Sequence, residues 1–394
     1  MRVLALIVEP PDPAISGSRV RNRFLWPALR KSGVEVRILG LDRKGREGAV
    51  GELADAEYFP LRRESWPNRA RHAALYSYHQ WPWSPQLKDA VDQAVEKWRP
   101  DVVHAEQLRM ASYLPALRGQ PASCIQTLTL HNVESRLLRQ TGSAAHGGLR
   151  HVIEPLHRLN LDRFEARAVT NVDRAFAYSE LDRREYQARF PGVHWCATRG
   201  GVDTVGIQPA PAPGRGVLLL GSLAYAPNVR GLEWFVENVL PRLGELPVTV
   251  AGSGADVRLR QWLGALPVRF VDTPLELRSL YMDHAICAVP VHEGGGTRGK
   301  ILEALAYGRP VVSTPKGAEG LELAEGEGLT VVTSAEAFAQ SLLELSTDPA
   351  ACAAMAQRGR TAVERRYDWS VVAENMLREW QECLPATACE TVIR

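Results

Sequence analysis

Short apolar runs alternate with stretches of helical apolar spacing along almost the whole chain, and this alternation restricts the possible folds more than any other feature. It is the pattern of βαβ units, whose strands pair in parallel and are covered on both faces by helices. Val3–Val8 reads as a buried first strand. The helix Arg19–Lys31 follows, with Phe24, Leu25, Ala28 and Leu29 at helical spacing and Pro27 predicting a kink, and beyond Gly33 comes the strand Val34–Leu39. Asp101–His104, Ile125–Leu130 and Arg174–Tyr178 read as later strands. Leu149–Val169 reads as a long helix with Val152, Ile153, Leu156, Leu159 and Phe164 on one side and Pro155 in its first turn, and Glu180–Phe190 as a helix capped by Ser179.

Pro209, Pro211, Pro213 and Gly214 crowd the stretch from Ile207 to Gly216, which reads as a domain linker. The alternation then restarts, with strands at Val217–Leu220, Val248–Ala251, Val268–Val271, Ala285–Val289 and Pro310–Ser313 and helices at Arg230–Val239, Val257–Leu266 and Gly299–Tyr307. The class is therefore α/β, with Rossmann-like doubly wound domains at 1–206 and 217–372. Such domains bind ligands at the C-terminal ends of their strands, which in a facing pair is the cleft between them.

Composition narrows the function. The chain has 394 residues, 45% of them apolar and 23% charged, and its 47 Lys and Arg against 45 Asp and Glu leave a formal charge of +2. These are ordinary globular values, and so small a net charge gives no support for a nucleic-acid binder. Six scattered cysteines without a CxxC pair suggest neither a zinc site nor a disulfide scaffold, and fit a reducing compartment. The first apolar run is too short for a signal or membrane-spanning segment, and no later run approaches 18 uninterrupted apolar residues. The expected location is the cytoplasm. Arg62, Arg63, Arg69 and Arg71 with Trp66, Trp81 and Trp83 in the segment Leu61–Trp83 suit a peripheral contact with a membrane face or a lipid-linked acceptor, or else a solvated loop over an acceptor site.

The richest chemistry lies at His292–Val312. Gly294, Gly295 and Gly296 stand between a strand and a helix, so bare N–H groups and a helix N-terminus converge, and Arg298 and Lys300 add two charges there. That combination suits phosphate oxygens. Glu303, about one turn into the helix, is placed to accept hydrogen bonds from the vicinal hydroxyls of a ribose. Phosphate clamp and hydroxyl acceptor together suggest a nucleotide; the plain alternative is a flexible turn before an amphipathic helix.

Gly294 through Thr314 resembles the donor-binding signature GGGTRxKxxEAxAxGxPVVST of one branch of the group 1, family 4 glycosyltransferases. His131-Asn132-Val133-Glu134-Ser135 is similar to the HNVES segment of that branch, Gly221-Ser222 with Pro227-Asn228 to its GS…PN loop, and Gly317–Leu321 to its GAEGL turn. Tyr367–Ser370 resembles the start of its terminal helix, which implies that 373–394 contain a helix crossing back to the first domain. The resemblance implies a GT-B architecture facing across a cleft, with the acceptor on the first domain, a nucleoside diphosphate sugar on the second, and transfer with retention. It implies catalytic roles for His131, Arg298 and Lys300, with His131 on a hydroxyl of the transferred sugar. It implies donor binding by Gly17, Ser222, Glu293, Gly294, Gly295, Gly296, Thr297 and Glu303. The family's two glutamates are separated by seven residues; Glu303 matches the second, and the first falls on Gly295, leaving Glu293 or the loop backbone in its place. The family's Arg and Lys after the first strands of the second domain find only Arg230 here, so Arg298 and Lys300 take over that work.

His104 and Glu106, at the end of another strand, are candidates for the acceptor side. No two aspartates are separated by a single residue, so the DxD motif that holds a divalent metal in the GT-A class is missing and neither metal nor other cofactor is expected. Gly252-Ser253-Gly254 with Asp272 imitates the start of a dinucleotide fingerprint, but Val257 replaces its third glycine. A GT-B sugar-nucleotide epimerase or phosphorylase, and a non-catalytic sugar-nucleotide-binding homologue, remain alternatives to a transferase.

Overall fold

The computed structural model describes residues 1–12, 16–42, 53–61, 83–119, 123–136, 150–209, 214–294 and 299–384. They divide into two compact units, Met1–Arg199 with Val372–Arg394, and Gly200–Val371. The second unit begins ahead of the Pro-rich stretch because Val202 pairs in parallel with Asp368, whose carboxylate accepts from the Thr204 amide at 3.1 Å. Arg360 ties the same stretch down by donating to the Ile207 carbonyl at 2.9 Å.

The first unit is built on a seven-stranded parallel sheet in the order β3-β2-β1-β4-β5-β6-β7. Its strands are β1 (Arg2–Ile7), β2 (Glu35–Asp42), β3 (Glu57–Pro60), β4 (Val102–Glu106), β5 (Ile125–Leu130), β6 (Arg174–Ala177) and β7 (Trp195–Ala197). From β1 the chain runs outward to β2 and β3, then returns to place β4 on the other side of β1, so the order reverses between β1 and β4. Val3 to Ile7 are wholly buried, as a central strand covered on both faces requires. The first helix, α1 (Gly17–Lys31), is capped by Ser16 and continues through Pro27; it buries Arg21, Leu25, Trp26 and Leu29. The helix α2 (Pro85–Gln93) carries Leu87 and Val91 into the core, and half-buried Trp83 just before it stacks on Tyr113 with ring centroids 4.7 Å apart. That indole serves the first unit's core. The rest of the basic and indole segment, residues 62–82, lies outside the described residues.

The helix α3 (Arg150–Thr170) contains Pro155 in its interior, not in its first turn. Its buried stripe is Leu161, Phe164, Glu165 and Ala168, whereas Leu159, expected on that side, is 45% exposed. The shift follows from the i, i+3, i+4, i+7 spacing starting at Leu161, with a glutamate occupying one stripe position. The helix α4 (Glu180–Arg189) is capped by Ser179, whose hydroxyl accepts from the Asp182 amide at 3.1 Å.

The second unit has a six-stranded parallel sheet, order β10-β9-β8-β11-β12-β13. Its strands are β8 (Val217–Leu220), β9 (Val248–Gly252), β10 (Arg269–Asp272), β11 (Ile286–Val289), β12 (Val311–Ser313) and β13 (Leu329–Val331). The reversal falls between β8 and β11, and the helices α5 (Ala226–Asn238), α6 (Val257–Gly264), α7 (Leu277–Asp283), α8 (Gly299–Ala306), α9 (Pro315–Ala318), α10 (Ala335–Thr347) and α11 (Pro349–Tyr367) accompany the strands. The last helix, α12 (Trp369–Cys383), counts with the first unit from Val372 onward and buries Trp380 there completely. The dinucleotide-like pattern has a packing explanation. A Cβ at Gly252 would lie 2.0 Å from the Gly221 carbonyl oxygen, Gly254 has φ +86°, and Asp272 pairs with Arg260 at 2.8 Å. Among the described residues no helix is long and apolar enough to cross a membrane.

Candidate active site

In a doubly wound sheet the crevice forms where the strand order reverses, at the C-terminal ends of the strands. In the second unit that place is lined by Gly221 and Ser222 after β8 and by Pro290 to Gly294 after β11. Lys300, on the first turn of α8, reaches this spot, and its ammonium donates to Asn228 Oδ1 on α5 at 2.9 Å. A Cβ on Gly221 would lie 2.8 Å from Lys300 Nζ and 3.0 Å from Asn228 Nδ2, so the bare backbone at 221 makes room for the cation. A cavity of about 30 Å³ opens among Leu220, Gly221, Asn228, Val291 and Lys300. Ser222 is exposed, and its carbonyl accepts from Asn228 Nδ2 at 2.9 Å, which closes the loop onto α5. Gly294 has φ +90°, and a Cβ there would meet the Tyr225 hydroxyl at 2.6 Å, so both the turn and the close approach demand glycine.

Glu303 stands one turn further along α8, half-buried, where its carboxylate accepts from the Tyr281 hydroxyl at 3.3 Å. Burial pushes its carboxyl up from 4.5 to about 7. Glu293 is directed elsewhere: its carboxylate pairs with Arg230 on α5, and both side chains are largely exposed. Gly295, Gly296, Thr297 and Arg298 lie outside the described residues.

The reversal point of the first unit collects a different kind of chemistry. Glu106 ends β4 with a side chain 1% exposed, and three nitrogen groups converge on it. Arg21 Nε reaches Oε1 at 2.9 Å, His104 Nε2 lies 3.3 Å from the same oxygen, and His131 Nε2 lies 2.6 Å from Oε2. Burial pushes the Glu106 carboxyl up, but the Arg21 charge and the two histidine hydrogen bonds outweigh it and hold the group well below the usual carboxylate range. Arg21 is itself wholly buried; it also donates to Thr198 Oγ1 at 3.2 Å and sits 5.3 Å from the Tyr178 ring centroid. His131 follows β5, is 12% exposed, and packs edge-to-face with Tyr178 at 4.8 Å between centroids.

The loop after His131 is pinned from α3 and α4. Tyr186 donates to the Asn132 carbonyl at 3.0 Å, and Arg189 donates both to Ser135 Oγ and to the buried Glu165, each at 2.7 Å. Burial, with the Glu165 charge nearby, pushes the Glu134 carboxyl up to about 7.

His104 and Glu106 do not line an acceptor surface. His104 is wholly buried, with Trp26, Phe176 and Trp380 rings 5.4 to 6.0 Å from it, and Glu106 presents its oxygens inward. Their strand is covered on both faces, so a strand-end position does not bring exposure. Gly17 opens α1 and is exposed beside Ser18 and Arg19, which donate to Glu9 at 3.3 and 2.7 Å. Sequence reasoning gave no site role to Arg21, Asn228 or Tyr281; Asn228 was marked only as part of the GS…PN resemblance, and Arg21 carries a local signal in its i, i+4, i+8 relation to buried Leu25 and Leu29. One cluster of potential metal ligands occurs among the described residues, His194, Cys196 and Glu379. The Arg174 guanidinium already pairs with the Glu379 carboxylate, and burial raises the Cys196 thiol, which is the chemistry of an ion pair beside a neutral thiol.

Residues 16–194 match the family described as a glycosyl transferase 4-like domain, and residues 214–348 match glycosyl transferases group 1. The phosphatidyl-myo-inositol mannosyltransferase of Mycolicibacterium smegmatis is 28% identical over 313 residues, 74% of this chain and 75% of that protein. An uncharacterized 44.6 kDa protein of the Klebsiella pneumoniae cps region is 25% identical over 175 residues, 41% of this chain and only 45% of that one, so the match spans less than half of that protein. Among solved structures, the sucrose-phosphate synthase of Thermosynechococcus elongatus superposes with a TM-score of 0.70 at 17% identity, covering 97% of this chain and 99% of that one. HepE of Anabaena, in complex with UDP, does so with a TM-score of 0.68 at 14% identity, covering 97% and 100%. Identities this low speak for the fold, which is GT-B. Two doubly wound parallel units of that class, each carrying its own glycosyltransferase family match, make this chain a member of the group 1 glycosyltransferases.

Proposed function

We propose that the chain transfers a sugar, with retention of anomeric configuration, from a nucleoside diphosphate sugar to a hydroxyl of a glycan, lipid-linked or metabolite acceptor. The observation that carries this reading is Lys300, an ammonium held at 2.9 Å by Asn228 over a backbone left bare at Gly221. A cation over backbone bare of a side chain at the reversal point of a doubly wound sheet suits a diphosphate.

Each residue then has a task. Departure of the nucleoside diphosphate builds negative charge on the leaving phosphate. Lys300, with Arg298 and the N–H groups of Gly295, Gly296 and Thr297, meets that charge more strongly in the transition state than in the ground state. Glu303 accepts from the ribose hydroxyls, and His131 accepts from a hydroxyl of the transferred sugar. Because side-chain cations and backbone dipoles do this work, the reaction proceeds without a divalent metal or other cofactor. The UDP bound by HepE makes uridine the first nucleoside to try, and the mannosyltransferase relatives put lipid-linked polyols among the first acceptors. With a lipid-linked acceptor the protein would work from the cytoplasm at the inner membrane face.

The test is a thermal-shift panel of nucleoside diphosphates and their sugars, since a ligand that binds only the folded state raises its apparent stability. A selective shift is expected, followed by transfer in an acceptor screen. A well-folded sample that no nucleotide stabilises would remove the basis of the proposal.

A further inference from the structure

Around Glu106 the hydrogen bonds have a direction that can be worked out from the donors available. Trp380, buried on α12, carries an indole N–H that can only donate, and it lies 3.2 Å from Thr127 Oγ1. The Thr127 hydroxyl accepts there and keeps its own proton for His104 Nδ1, 2.7 Å away, an arrangement selected by the carboxylate oxygen of Glu106 beside Nε2, which calls for a proton on that nitrogen. His104 is neutral, since burial lowers its pKa, so a ring that accepts at Nδ1 carries its single proton on Nε2. That proton points at Glu106 Oε1, 3.3 Å away, and at Thr129 Oγ1, 3.0 Å away. Arg21, a donor only, takes the same carboxylate oxygen at 2.9 Å and supplies the charge that keeps Glu106 ionised inside the protein. An ionised carboxylate can only accept. The 2.6 Å contact between Glu106 Oε2 and His131 Nε2 is therefore an N–H donated by His131.

We infer that Glu106 is a positioning residue that fixes the neutral ring of His131 in the Nε2–H tautomer, so that its other ring nitrogen, Nδ1, is a hydrogen-bond acceptor for a substrate hydroxyl. The inference rests on the reading of His131 as the partner of a hydroxyl on the transferred sugar. It adds the polarity of that contact: the ligand group at Nδ1 must donate, as a sugar hydroxyl does and a phosphate oxygen does not. The whole relay, from Trp380 through Thr127, His104 and Glu106 to His131, lies within the first unit. A residue of the last helix thus sets the proton position on a residue after β5.

Glu106→Gln separates positioning from mere support. The amide keeps its oxygen toward Arg21 and His104, both donors, and so turns its NH₂ toward His131 Nε2. That nitrogen must then accept, and the proton moves to Nδ1. In full-length protein with isotope-labelled histidine at mildly alkaline pH, His131 is identified by the resonance missing from His131→Gln. We expect Nε2–H in the wild type and Nδ1–H in Glu106→Gln. Affinity for UDP should be unchanged, while release of UDP from UDP-sugars falls about tenfold or more. A wild-type Nδ1–H tautomer, a tautomer unmoved by the substitution, or full turnover from a variant whose tautomer has switched would each overturn the inference. The wild-type spectrum needs no variant, so the test stands even if Glu106→Gln fails to fold. A wild-type protein inert toward every sugar nucleotide would count against the transferase reading, while the tautomer could still be read.

Discussion

Replacing Glu303 by glutamine turns the burial of one carboxyl into a measurable dependence of stability on pH. In the folded protein this carboxyl titrates near 7 instead of 4.5, because burial penalises its charge more than the Tyr281 hydroxyl compensates. A carboxyl with a raised folded-state pKa holds its proton more tightly when folded than when unfolded. Its contribution to stability is therefore complete below about 4.5 and is lost as the pH rises through about 7. At about 1.4 kcal/mol per pH unit, the displacement limits that loss to roughly 3.5 kcal/mol; because the side chain keeps partial access to water, about 1–2 kcal/mol is expected. Glutamine has the same shape, cannot ionise, and still offers an oxygen to Tyr281. Denaturant unfolding of both proteins across this pH range should give equal stabilities at the acid end, and the Glu303→Gln protein should be ahead by about 1–2 kcal/mol near pH 8. Carboxylates elsewhere cancel in the difference. The same substitution should weaken UDP and leave 2′,3′-dideoxyuridine diphosphate nearly untouched, since only the former has ribose hydroxyls to lose a partner. A stability difference that is flat with pH, or that favours the wild type at alkaline pH, would refute the reasoning.

Lys300→Ala should weaken UDP binding by about 10–100-fold, the worth of a charge-assisted contact, and lower kcat as well; isothermal calorimetry and a transfer assay read the two effects. Gly221→Ala should have a similar effect on UDP with little change in Tm, because the added methyl group would sit 2.8 Å from Lys300 Nζ, the movable end of a long side chain. His131→Ala should spare UDP affinity and reduce turnover about tenfold or more, and equal loss of both would mark a structural histidine. Removing divalent ions with EDTA should leave transfer unchanged, and restoration of a lost rate by Mg²⁺ or Mn²⁺ would contradict the metal-free scheme.

Where a segment is buried on both faces or carries its own end signal, its place was readable in the chain. Ile125–Leu130 and Val217–Leu220 are strands at the boundaries their apolar runs suggest, and the Ser179 cap begins α4 as its side chain predicts. Short edge strands such as Glu57–Pro60 and Trp195–Ala197 have no long apolar run and left no such mark. The start of α5 at Ala226 was masked by Pro227, which reads as a breaker but sits in the first turn, where its missing N–H costs nothing. The site divides in the same way. Lys300 and Glu303 were legible because glycines, charge and helix occur together in sequence, yet their partners Asn228 and Tyr281 lie 72 and 22 residues away, beyond any local period. Arg21 was within reach. An arginine four residues before Leu25 and eight before Leu29 shares a core-facing stripe, which is tolerable only with a buried partner.

Glu106 and Glu303 show how one chain can drive two buried carboxyls in opposite directions, and why the difference suits their tasks. Glu106 is surrounded by groups that can only donate or are constrained to donate, one of them a full charge, so it is ionised before any ligand arrives. Its strength lies in what it imposes on His131, and a ligand adds nothing to its own satisfaction. Glu303 accepts from the Tyr281 hydroxyl at 3.3 Å, which does not offset the burial that keeps its carboxyl near neutrality at pH 7. On the proposed reading, two ribose hydroxyls would add donors and favour its ionised form, so the nucleotide would relieve a cost that the folded protein otherwise carries. The first arrangement gives a fixed geometry, and the second would give ligand-dependent stabilisation that grows as the pH rises toward about 7 and levels off above it. A protein that held both carboxyls in the manner of Glu106 would bind its donor no more tightly at alkaline than at neutral pH. One that held both in the manner of Glu303 would leave the tautomer of His131 to chance.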